Sequence, residues 1–288
     1  MTAIDFYGLH RRLYEMNAIS TKAIRAHYDR LSIFYWWLWG EHIHHGFWQN
    51  GESPREAQIR LIAELARRSA IPRGAKVLDV GCGLGGSALW LARELGCSVL
   101  GITISPVQKR IAERRARSFG LSDRVRFSVK DANHLNFGAE SFDVIWNVEC
   151  SEHLTDKASF IQSCGRLLRR GGVLALCTLL AAESCSPSAN PELVARICSG
   201  MLFPGLGTLG DYKSWMSESG FEQINADDLT PQVEKTWDVC QGVLRRPVVR
   251  LFLRLMGAQT RKFAKFDAID RAYREGAMRY GMFSARKL

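Results

Sequence analysis

The residues most suggestive of chemistry lie in Val77-Leu-Asp-Val-Gly-Cys-Gly-Leu-Gly-Gly86. Glycines between a strand and a helix let a ligand approach the backbone and leave helix amide groups facing it. Gly81, Gly83 and Gly86 have the G-x-G-x-x-G spacing of a dinucleotide loop. Two features point to a different ligand. Asp79 stands just ahead of Gly81, where an apolar residue is usual in a pyrophosphate loop. The next strand ends Gly101-Ile-Thr-Ile-Ser105, without an acidic residue to grip an NAD ribose. A carboxylate at the strand end suits a cation, and S-adenosylmethionine (SAM) carries both an ammonium and a sulfonium.

A second cluster, Glu149-Cys-Ser-Glu-His153, follows an apolar run that reads as the fourth strand. In an open α/β sheet ligands sit beyond the carboxyl ends of the strands, so Glu149, Glu152 and His153 are candidates to face a reacting group. Histidine accepts a proton near neutral pH, and a desolvated glutamate can do so as well. His42, His44 and His45 could converge on a metal, but no carboxylate or cysteine cluster completes such a site and none is expected. One of these imidazoles is expected to line a substrate pocket and the others to bond backbone. Residues 34–48 hold Phe34, Tyr35, Trp36, Trp37, Trp39, Phe47 and Trp48, four of the chain's eight tryptophans. With the segment around 201–204 they suggest an aromatic lid over an apolar acceptor, whose ring faces could stabilise a cation.

These groups need a scaffold. Residues 3–35 and 54–69 have helical apolar spacing. After Pro72-Arg-Gly74 the pattern alternates strands (76–80, 98–104, 125–129, 142–148, 173–178) with helices, and Pro106 falls where a helix would start. Such alternation predicts an α/β, Rossmann-like fold with a doubly wound, mostly parallel sheet. The expected organisation is an N-terminal helical and aromatic cover over 1–70 and a core over 71–288. Within that core, a Pro-, Ser- and Gly-rich insertion spans about 180–210 and a basic segment spans 240–288.

Together these stretches resemble class I SAM-dependent methyltransferases. Residues 77–87 look like motif I of that class. Trp39-Gly-Glu-His-Ile-His-His-Gly46, Gly101-Ile-Thr-Ile-Ser-Pro-Val-Gln108, Glu149-Cys-Ser-Glu-His153 and Leu167-Leu-Arg-Arg-Gly-Gly172 narrow the resemblance to gamma-tocopherol, sterol and isoprenoid methyltransferases. The resemblance implies that Gly81 and Gly83 pass the methionine part of SAM, with Asp79 supporting the turn and the amino group. It places Thr103, Ile104 and Gln108 at the ribose and Asp131 and Ala132 at the adenine. Asn147 joins the cofactor site, and Tyr28 closes over the SAM carboxylate. It further implies methyl transfer to a lipophilic small molecule, led by carbon methylation of a prenylated aromatic or isoprenoid, with Glu149, His153 or His45 accepting the proton. Oxygen or nitrogen methylation of a specialised metabolite stays open, as do a nicotinamide oxidoreductase and a non-catalytic SAM-binding protein.

Charge adds a regional signal. The 288 residues hold 39 Lys and Arg against 29 Asp and Glu, formally +10. Residues 240–288 carry 12 basic and 3 acidic residues, which leaves the remainder near +1. Arg246, Arg250 and Arg254 recur at helical spacing beside apolar residues, as in a helix lying on anionic lipid. Peripheral membrane contact or an anionic acceptor explains this tail better than nucleic acid, for which no recognition module is evident. Eight single cysteines without C-x-x-C, no signal-peptide pattern and no apolar run of spanning length lead to the expectation of a cytoplasmic protein.

Overall fold

The computed structural model describes residues 19–184, 186–255 and 267–288. The first part of the helix expected from residue 3 lies outside that set. The remainder is α1 (Thr21–Trp39), whose Ser20 hydroxyl accepts from the Ala23 N–H. α2 (Pro54–Arg68) opens on a capping box, with Ser53 and Glu56 satisfying each other's backbone N–H, and Pro54 in its first turn. Its Leu61, Ile62 and Leu65 are buried.

Seven strands form one sheet: β1 (Lys76–Val80), β2 (Ser98–Thr103), β3 (Val125–Val129), β4 (Phe142–Val148), β5 (Leu168–Ala181), β6 (Phe221–Asp228) and β7 (Met278–Lys287). Their order is β3-β2-β1-β4-β5-β7-β6. β1 runs parallel to β2 and β4, β2 to β3, and β4 to β5, while β7 is antiparallel to both of its neighbours. Both faces are covered, which is why β5 can be buried continuously from residue 172 to 181. Successive residues serve opposite layers. Val77 and Trp146 pack in the cluster of Leu61 and Leu91, whereas Leu78 and Ile145 pack in that of Phe160 and Ile161.

The layers are supplied by α3 (Gly86–Leu95), α4 (Pro106–Ser118), α5 (Lys157–Leu167) and α7 (Leu209–Glu218). The insertion contains α6 (Pro191–Met201), started by Asn190 as cap and Pro191 at its first position, so its proline begins a helix instead of breaking one. After β6 come α8 (Thr230–Val233), α9 (Lys235–Leu244), α10 (Pro247–Leu255) and α11 (Asp267–Arg274). The chain winds outward in opposite directions from β1 and β4. The crevice beyond their carboxyl ends is therefore the place where such sheets take ligands.

Candidate active site

A cleft of about 940 Å³, mouth included, occupies that crevice. Tyr28, Asp79, Gly81, Gly83, Thr103, Ile104, Gln108, Asp131, Ala132, Glu149 and His153 all line it. Gly81 and Gly83 adopt φ of +80° and +50°, a region that glycine enters without steric cost. A Cβ on Gly81 would collide with Cys150, whereas one on Gly83 would meet nothing nearby. Asp79 is 2% exposed, and its Oδ2 has no hydrogen-bond partner. Burial pushes its carboxyl up to about 7, against a bond from the Ala88 N–H.

The turn after β2 is closely tied. Thr103 Oγ1 donates to Gln108 Oε1 at 2.6 Å and accepts from the Ser105 N–H at 3.1 Å. Ser105 Oγ donates to Asp29 Oδ1 at 2.6 Å, fastening this turn to α1. Asp131 Oδ1 accepts from both the backbone and side-chain N–H of Asn133, each at 2.9 Å, so it shapes a turn while lining the cleft. Asn147 stands apart from these residues. It is fully buried, donates from Nδ2 to the Val80 carbonyl at 3.2 Å, and is not among the lining residues.

A second cavity of about 1190 Å³ adjoins the first, and Tyr28, Ile43, His44, Glu149 and His153 line both. Its wall is mainly apolar and aromatic, with Leu31, Phe34, Tyr35, Leu38 and Trp39 from α1, Met201 and Phe203 from the insertion, and Trp237, Val243 and Leu244 from α9. The polar exceptions include His45, Glu149, Glu152 and His153. No Lys or Arg is among its described lining residues.

The polar groups at the junction differ in charge state. Glu149 sits at φ +51°, a strained setting for a non-glycine residue. Its Oε1 accepts from the His45 N–H (2.7 Å), His45 Nδ1 (2.9 Å) and the Tyr280 hydroxyl (2.8 Å). Burial opposes ionisation, but the His45 ring and backbone N–H outweigh it and hold the carboxyl below its usual range. Nδ1 of His45 must then carry the proton, and its buried Nε2 has no partner. Glu152 is the reverse case. Oε1 accepts from the Leu179 N–H at 2.7 Å, Oε2 is buried without a partner, and burial followed by repulsion from Glu149 raises the carboxyl to about 7. Burial lowers His153 to about 4. Its Nδ1–H donates to the Leu202 carbonyl at 3.0 Å, which leaves Nε2 to accept from the Tyr28 hydroxyl at 2.9 Å.

The three histidines of residues 42–45 separate. His45 and His44 reach the second cavity, and His42 lines the cleft. His44 Nδ1 donates to the His45 carbonyl at 2.7 Å, so its Nε2 accepts from His42 Nδ1 at 3.1 Å. Among the described residues no group of three His, Cys, Asp or Glu is arranged to hold a metal ion. The aromatic lid needs correction. Phe34, Tyr35 and Trp39 line the cavity and Phe47 and Trp48 are core, but Trp36 and Trp37 face water because the helical period turns them outward. Tyr280 and Trp237 were not legible as site residues. They arrive only because β7 inserts between β5 and β6 and because α9 folds back over the cavity.

An open sheet with this strand order, a glycine turn after β1 and a cleft at the reversal point define a class I methyltransferase scaffold. A family model described as mycolic acid cyclopropane synthetase matches residues 16–251, and the chain belongs to that family. A chloroplastic protein of Oryza sativa subsp. japonica, named as a probable tocopherol O-methyltransferase, is 32% identical over 282 residues, covering 92% of this chain and 78% of that one. The 27-O-demethylrifamycin SV methyltransferase of Amycolatopsis mediterranei (strain S699) is 35% identical over 202 residues, 69% of this chain and 74% of its own. Among solved structures the [4+2]-cyclase SpnF superposes with a TM-score of 0.78 at 26% identity, over 93% of this chain and 96% of that one. The protein is an enzyme, a SAM-dependent methyltransferase of small molecules.

Proposed function

We propose that the acceptor is a neutral lipophilic molecule, a prenylated aromatic with a phenolic proton, and that a ring carbon receives the methyl group. The observation that carries this reading is the apolar cavity joined to the cleft through Tyr28, Glu149 and His153, with two carboxyl groups, one of them the ionised Glu149, and no described cation on its wall. A prenyl diphosphate would bring its charge beside the Glu149 carboxylate with nothing to offset the desolvation, which favours a neutral isoprenoid. The cleft fits SAM. Asp79 Oδ2, buried without a partner, offers an acceptor to the ammonium, and the open space at Gly83 admits the methionine part. Thr103, Ile104 and Gln108 take the ribose side, Asp131 and Ala132 the adenine, and Tyr28 closes from α1; Asn147 supports the floor from below. Bound SAM supplies a methyl group on a sulfonium, an electrophile that needs no activation by the protein.

The chain's own residues supply position and proton transfer. Glu149, whose Oε1 takes two donors from His45 and one from Tyr280, is assigned to positioning His45. Among the described residues of the cavity wall, His45 Nε2 and Glu152 Oε2 are buried atoms without a partner that are placed to take a proton. Carbon methylation of a phenol uses two such groups, one to hold the phenolic proton during attack and one to remove the ring proton afterwards. His153, with both nitrogens engaged, holds Tyr28. Oxygen methylation needs one acceptor and is the second reading, favoured by the names of the rice and Amycolatopsis relatives. Labelled SAM offered with a prenylated phenol and with a prenyl diphosphate of equal chain length tests the proposal. Transfer to the phenol at carbon is expected; an oxygen-methylated product selects the second reading, and transfer to the diphosphate alone refutes both.

A further inference from the structure

The helix that walls the acceptor cavity has a second face. The period that sends Tyr28, Leu31, Phe34, Tyr35 and Leu38 inward leaves Ile33, Trp36 and Trp37 in water, Trp37 being 64% exposed. α9 lines the same cavity with Val243 and Leu244, and α10, which follows it directly, exposes Val248 (65%) and Leu251 (58%). Of the eight exposed large hydrophobic residues among those described, five lie on these two helices. Isolated exposed apolar residues are ordinary, but concentration on the helices next to one cavity is not.

The exposed charges of α1 and α10 have one sign, whereas α9 carries the exposed Asp238, paired with Arg274 at 3.4 Å. The exposed charged residues of α1 are Lys22, Arg25 and Arg30, and around α10 they are Arg245, Arg246 and Arg250. No exposed acidic side chain lies on either helix among the described residues. Arg25 pairs with the half-buried Asp29 at 3.5 Å. Tryptophan and leucine set among arginines suit the boundary between headgroups and acyl chains, with the guanidinium groups at the phosphates. A second copy of the chain fits less well, because a two-fold interface would set these like charges against each other.

We infer that α1 and α10 form a docking surface for an anionic lipid bilayer, placing the acceptor cavity beside the membrane. The delivery of acceptor from that membrane rests on the proposed lipophilic acceptor; the docking does not. The full chain should co-sediment at low salt with vesicles of phosphatidylcholine containing phosphatidylglycerol, with a blue shift of tryptophan emission, and much less with phosphatidylcholine alone. Trp36→Ser with Trp37→Ser, and separately Arg246→Glu with Arg250→Glu, should each weaken vesicle binding about tenfold or more. Melting temperature and methylation of a detergent-dispersed acceptor should be unchanged, since these residues line neither cavity. Absence of binding to the anionic vesicles, wild-type binding by both variants, or a dimer dissociated by the same substitutions overturns the inference. Vesicle binding without methylation of any lipophilic acceptor overturns the acceptor reading and leaves the docking standing.

Discussion

Glu149→Gln keeps the shape of the side chain and removes its charge. In the native site Oε1 accepts from the His45 N–H, the His45 ring and the Tyr280 hydroxyl. A bond to a charged acceptor is worth about 1 kcal/mol more than one to a neutral acceptor, so three bonds lose about 3 kcal/mol. The two bonds from His45 make about 2 kcal/mol of this, and if they hold it in place during reaction the rate falls about 30-fold. Backbone strain is not involved, because φ +51° disfavours Gln as much as Glu. The pH profile gives a second reading of the same change. Glu152 stands at about 7 through burial and then through the charge of Glu149, so a reaction needing it ionised speeds up as pH rises through 7. Without the charge of Glu149 that rise should move to lower pH. The assay is kcat and KM for SAM across pH, with S-adenosylhomocysteine affinity by calorimetry and a melting curve to verify folding. Unchanged kcat would refute the positioning role, and a rise that stays put or moves upward would refute Glu152 as a proton acceptor.

The remaining predictions concern the cofactor cleft. A carboxyl raised in the folded chain favours folding while protonated; that contribution is complete below the unfolded pKa near 4 and is lost as pH rises through the folded value of about 7. Asp79→Asn should therefore raise the melting temperature of the ligand-free protein at pH 8 by a few degrees, at about 2–4 °C per kcal/mol, and weaken S-adenosylhomocysteine binding about tenfold. A lower melting temperature at that pH would contradict this. Gly81→Ala, which meets Cys150, should cost about 2–4 kcal/mol of stability, whereas Gly83→Ala, with nothing nearby, should cost about 1 kcal/mol. Denaturant melts that rank the two equally would overturn the packing argument. Tyr28→Phe strips the donor from His153 Nε2 in a buried wall and should raise KM for SAM about tenfold, at about 1–3 kcal/mol for the orphaned nitrogen. An unchanged KM would deny Tyr28 its part in closing the cleft.

Local patterns carried most of the scaffold. The strand–glycine–helix unit at 76–95, the proline start of α4 and the positions of β2, β3 and β4 follow from short-range periodicity and cap chemistry. Ten of the proposed cofactor residues and candidate bases gather in one cleft because they lie at consecutive strand ends, and His45 enters from the loop after α1. Long-range pairings were not legible. Glu149 looked like a free base until the His45 loop and the Tyr280 hydroxyl of β7 met at its carboxylate, and Glu152, buried as well, has one backbone N–H and the Glu149 charge where Glu149 has those donors. Composition also hid α6, since Pro and Asn mark loops as readily as helix starts. Of the tail's arginine stripe, Arg254 has its side chain outside the described residues, while Arg246 and Arg250 are exposed.

His153 has one nitrogen bonded to Tyr28 of the N-terminal helix and the other to the carbonyl of Leu202, the residue closing α6 at φ +57°. One imidazole thus latches two covers that are 49 and 125 residues away from it in sequence. Lifting either cover alone bares a ring nitrogen or its partner in a dry wall, at about 1–3 kcal/mol, and lifting both admits water to all of them. The covers are therefore biased to breathe together. Because the same ring lines both chambers, an opening of either one disturbs the wall of the other.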